Sequence, residues 1–73
     1  MDGLEDRLRA LEVRLRGLGL DGVTCRLAGP VVRVEVDVAG IPVVERHARD
    51  VGAWTEELGL PPASFGLRAA PHP

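Results

Sequence analysis

The chain contains no lysine, one cysteine and one tryptophan, and each scarcity narrows what it can be. Nine arginines supply all the side-chain positive charge, against eleven carboxylates and a formal charge of -2. No basic field is present of the kind that nucleic-acid binding requires. A single cysteine, Cys25, cannot close an internal disulfide, which argues against a disulfide-stapled secreted mini-protein. The start Met1-Asp2-Gly3-Leu4-Glu5 lacks the basic, then apolar, pattern of a signal peptide. No apolar run approaches the ~20 residues of a membrane span. A cytoplasmic location, with no membrane and no nucleic-acid partner, is the expectation.

Catalytic patterns are equally scarce. The sequence has no glycine-rich phosphate loop, no paired-cysteine metal spacing and no Ser-His-Asp set in a plausible arrangement. The chain is not expected to be an enzyme by itself. Its 73 residues make one domain, 1–73, and a domain this small has a thin stability margin, so self-association is in view from the start.

The most informative stretch is Val31-Val32-Arg33-Val34-Glu35-Val36-Asp37-Val38. Valines at even positions alternate with charges at odd ones, which predicts a half-buried strand over 31–38. Successive strand side chains point to opposite sides, so Arg33, Glu35 and Asp37 share the face away from the core.

Before this strand, Leu4, Leu8, Leu11, Leu15 and Leu18 recur at helical spacing and predict an amphipathic helix over about 3–18. Asp2 and Glu5 read as its capping box, and Gly17 and Gly19 as its end. Glu5 with Arg9 and Glu12 with Arg16 stand at i,i+4, each such pair contributing about 0.3 kcal/mol. The leucine stripe spans fewer than three heptads, which favours packing on the chain's own sheet over a coiled coil. Val23, Cys25 and Leu27 alternate with Thr24 and Arg26 in a strand over about 22–28, and Ala28-Gly29-Pro30 marks a hairpin.

After the strand, Pro42 suits a helix's first turn, and Val44, His47, Val51, Trp54 and Leu58 predict one helix over about 42–58. Pro61-Pro62 forbids its continuation. Ala63, Phe65 and Leu67 then alternate with Ser64 and Gly66 in a strand over about 62–68, and 69–73 is a tail. The expected architecture is α+β, a two-layer αββαβ arrangement with two helices on one face of a three-stranded sheet. Small Ser64 and Gly66 are expected to keep the other face low and accessible.

Arg26, Arg33 and Glu35 are the candidate ligand- or partner-binding residues, because two guanidinium forks on one face suit a phosphate or carboxylate. A solvated ion-pair ladder is the simpler reading of the same residues. Cys25 reads as core filling, His47 as a hydrogen-bonded side chain on the apolar stripe, and Trp54 as the main core anchor.

The run from Leu15-Arg16-Gly17-Leu18-Gly19 through Arg26 and Gly29 to Arg33-Val34-Glu35-Val36 resembles the C-terminal region of LarE-type ATP-dependent sacrificial sulfur transferases of the PP-loop superfamily. Glu57-Leu58-Gly59-Leu60 resembles that region's next helix end, and the likeness covers about Leu4 to Leu67. By this resemblance Arg26 falls on the second arginine of an Arg-x-Arg strand near bound phosphate or sulfate, Thr24 replaces the first, and Glu35 falls on a carboxylate associated with a metal site. The resemblance implies no sulfur-donor role for Cys25 and no activity for these residues alone. It implies a detached half of a split enzyme, associating with itself as a homo-oligomer or with a separate PP-loop ATPase chain. No cofactor is expected for the chain itself.

A second stretch, Gly40-Ile41-Pro42-Val43-Val44-Glu45-Arg46-His47, resembles the Gly-x-x-x-x-x-Arg-His signature of BolA proteins, small αββαβ partners of glutaredoxins. That alternative implies His47 as a ligand of a shared iron–sulfur cluster. A simple homodimerisation domain without a ligand is the third reading.

Overall fold

The computed structural model describes residues 3–68. Helix α1 (Leu4–Arg16) leads into strands β1 (Thr24–Ala28) and β2 (Val31–Val36), a single 3-10 turn (Val38–Gly40), helices α2 (Ile41–Arg46) and α3 (Ala48–Glu57), and strand β3 (Ala63–Leu67). The strands form one mixed sheet in the order β1-β2-β3, with the helices packed on it, so the expected small α+β fold is the one that forms.

The alternation predicts the environment of Val31 to Val36 correctly, but the strand expected over 31–38 ends there, and Val38, at the next even position, is exposed in the 3-10 turn. Val32, Val34 and Val36 are buried, and Leu11 and Leu15 of α1, Val44 of α2 and Val51 of α3 close over them. Each such side chain contributes ~1.5–3 kcal/mol by leaving water. Leu4, Leu8 and Leu18 pack at the border of the same core, so the leucine stripe of α1 is used within the chain. Trp54 differs from expectation: it is only partly buried, and Arg14 of α1 lies over its ring at 5.9 Å. The core is anchored by leucines and valines instead.

The capping role expected of Asp2 lies outside the described residues. Gly3 stands at the N-cap without a side-chain bond, while Glu5 and Asp6 in the first turn and Arg14 and Arg16 in the last complement the helix dipole. Of the two expected i,i+4 pairs, Glu12 and Arg16 meet at 3.4 Å, and Glu5 and Arg9 form no ion pair among the described residues.

Ala28 pairs with Val31 across a two-residue turn. Pro30 has φ fixed near -65°, which excludes a type I′ turn, and Gly29 at φ 61° is the positive-φ first residue of a II′ turn. β2 pairs antiparallel with β1 and parallel with β3, the crossover being supplied by α2 and α3.

The helix expected over 42–58 is divided at His47, whose φ of -109° and ψ of 20° interrupt it. Asp50 explains the break in physical terms. It occupies the third position of α3, and its Oδ2 reaches back to His47 Nδ1 at 3.3 Å, so a fresh helix start is supported by an acidic residue near its positive end.

Candidate functional site: the charged face of the sheet

Strand register assembles the face that the helices leave uncovered. Arg26 on β1, Arg33 on β2 and Ser64 on β3 form one cross-strand row, and Thr24, Glu35 and Gly66 form the next. All three residues proposed from sequence therefore emerge side by side. Asp37, expected to continue the row, follows the end of β2 and caps the 3-10 turn, accepting from Gly40 N at 3.2 Å.

One carboxylate serves both guanidinium groups. Glu35 Oε2 lies 3.3 Å from Arg26 Nη2 and 3.5 Å from Arg33 Nε. Arg26 is well exposed, so its pair contributes only ~0.2–1 kcal/mol. Two cations against one anion leave this patch net positive on a chain that is net negative.

Arg33 is the more constrained of the two. Its Nε is buried without a hydrogen-bond partner, since the approach to Glu35 has ion-pair and not hydrogen-bond geometry. The guanidinium lies across Gly66, where a Cβ would come within 2.8 Å of Arg33 Cζ. The space that the sequence reading left vacant above Gly66 is thus filled by Arg33. Its terminal amino groups have no partner among the described residues. A buried donor is normally paired, which makes Nε the exception here, and the terminal amino groups are the donors that a carboxylate or phosphate would pair.

Cys25 and His47 are not part of this face. Cys25 points to the core side of β1, where burial and the nearby Glu12 carboxylate push its thiol up to about 12, despite the opposing charge of Arg16. It is an inert thiol at neutral pH. His47 lies in the helical layer, its Nδ1 engaged with Asp50. Among the described residues no group of three or more His, Cys, Asp or Glu side chains could hold a metal. The second histidine of the sequence, His72 in the tail, lies outside the described residues.

One polar contact was invisible to sequence reasoning. Glu12 of α1 accepts the backbone N–H of Cys25 at 3.0 Å, so the helix takes up one outward N–H of β1. No spacing rule signals a bond between elements whose relative placement is set only by the core. No described helix is long and apolar enough to cross a membrane.

Comparison with known families and with curated proteins finds no match to this chain. The class that fold and site define is a small α+β domain with a charged, helix-free sheet face.

Proposed function

We propose that the chain is a non-catalytic binding and assembly domain that receives an anionic group on Arg26 and Arg33, with Glu35 holding the two guanidinium groups in place. The observation that carries this reading is the unfilled donor capacity of Arg33, held over Gly66 with its Nε buried and unpaired and its terminal amino groups without a partner among the described residues. Ser64, next to it in register, adds a hydroxyl to the same patch. A phosphate or carboxylate placed there pairs the terminal amino groups of Arg33 without displacing Glu35 from Nε.

In its more specific form, the domain is the detached half of a split PP-loop sulfur transferase in the cytoplasm. The other half supplies the nucleotide chemistry, and this face contributes to its anion site. The resemblance of the run 15–36, helix end and hairpin together, supports that form, as does the placement of Arg26, Arg33 and Glu35 on one surface.

Calorimetric titration with pyrophosphate and with AMP tests the general reading. Saturable binding that is lost in Arg33→Ala is expected, and no binding by the wild-type chain overturns it. Co-expression with a PP-loop chain lacking its own C-terminal domain tests the specific form: a stable complex, weakened by Arg33→Ala and Glu35→Ala, is expected.

A further inference from the structure

The two edges of the sheet are finished differently. At β1 the outward N–H of Cys25 is taken up by Glu12 of α1. At β3 the parallel ladder runs from Val32 N donating to Pro62 O to Arg68 N donating to Val36 O, which turns Ser64 and Gly66 toward β2. The backbone groups of Ala63, Phe65 and Leu67 therefore face outward, with no partner among the described residues. An edge of this kind is a template for another strand.

The surroundings of that edge are self-complementary. A cavity of about 300 Å³ opens between α3 and β3, lined by Ala48, Gly52, Ala63 and Phe65 among others. Leu67, on the same side of the sheet and 53 % exposed, is the matching projection. Gly52 stands inside α3, where glycine costs ~1 kcal/mol relative to alanine, yet a Cβ there would meet nothing within 4 Å. Nothing in the packing of the described residues calls for a glycine. Arg49 and Glu56, two turns apart on the same side of α3, are exposed and without ion-pair partners among the described residues.

We infer that a second copy of the chain docks here, pairing β3 with its counterpart antiparallel about a two-fold axis at Phe65. In that register Ala63 faces the other copy's Leu67, each Leu67 enters the other's cavity, and all three outward residues of each strand exchange backbone bonds. The same axis runs the two α3 helices antiparallel on one side of a continuous sheet. Gly52 permits their close approach, and each Arg49 meets the Glu56 of the other copy. This surface is separate from the charged face and does not depend on the anion reading.

Sedimentation equilibrium of the full chain tests it, with circular dichroism to follow folding. A dimer is expected for the wild type. Leu67→Glu and Gly52→Glu, both at positions with open space in the single chain, are expected to raise its Kd about tenfold or more with the spectrum preserved. Arg49→Glu is expected to weaken the dimer and the double variant Arg49→Glu/Glu56→Arg to restore it. A chain that stays monomeric at millimolar concentration overturns the inference. So does a dimer that survives both Leu67→Glu and Gly52→Glu, or one that dissociates on Arg33→Ala instead.

Discussion

The guanidinium of Arg33 on β2 occupies the space that a Cβ at Gly66 on β3 would need. The obstacle is the far end of a flexible side chain and not backbone, so a substitution at 66 moves Arg33 before it disturbs the sheet. Gly66→Ala is therefore expected to leave the thermal midpoint nearly unchanged while weakening pyrophosphate binding about tenfold. Paired thermal melts and calorimetric titrations of the variant check both halves of the prediction.

Alkaline unfolding isolates Cys25. The chain has no lysine or tyrosine, so between pH 9 and 12 this thiol is the side chain left to titrate. Its pKa is raised from 9.0 to about 12 in the fold, and the native state thus keeps a proton that the unfolded chain releases. That contribution to stability is whole below about pH 9 and is lost as pH rises toward about 12. Denaturant midpoints should fall across this window, and Cys25→Ala should flatten the fall.

Core and surface positions on α1 should separate sharply. Leu11 is fully buried and Val13 is 59 % exposed. Leu11→Ala is expected to cost about 2–5 kcal/mol, whereas Val13→Ala stays within about 0.5 kcal/mol. A domain of this size holds only ~4–11 kcal/mol in total, so urea unfolding should show Leu11→Ala close to the limit of folding.

Asp50 is expected to matter more for the start of α3 than its exposed position suggests. Asp50→Ala removes the contact with His47 Nδ1 and the negative charge at the helix start, at a cost of about 0.5–1 kcal/mol. Hydrogen exchange should quicken at Val51, whose N–H donates to His47 O, while β2 stays protected.

Strictly alternating and strictly helical stretches are legible in the sequence itself. Val32, Val34 and Val36 announced both the buried side of β2 and the shared face of Arg33 and Glu35, and the leucines of α1 announced its packing. The parallel pairing of β3 was not legible, because Ala63 to Leu67 carries the same alternation whichever way the strand runs. The break at His47 had a signal in Asp50 three residues later, but the apolar period runs through it unbroken, and periodicity alone reads one helix. At the candidate site, the shared face of Arg26, Arg33 and Glu35 was legible. The filling of the space above Gly66 by Arg33 was not, since it depends on which way a long side chain folds across the neighbouring strand.

The most direct test of the charged face as an anion receptor is the Arg33 Nε–H resonance, followed by NMR while pyrophosphate is added. A saturable shift is expected at this resonance, with smaller shifts at the amides of Arg26, Ser64 and Gly66 and none at His47. An Arg33 signal that does not move at saturating pyrophosphate contradicts that role.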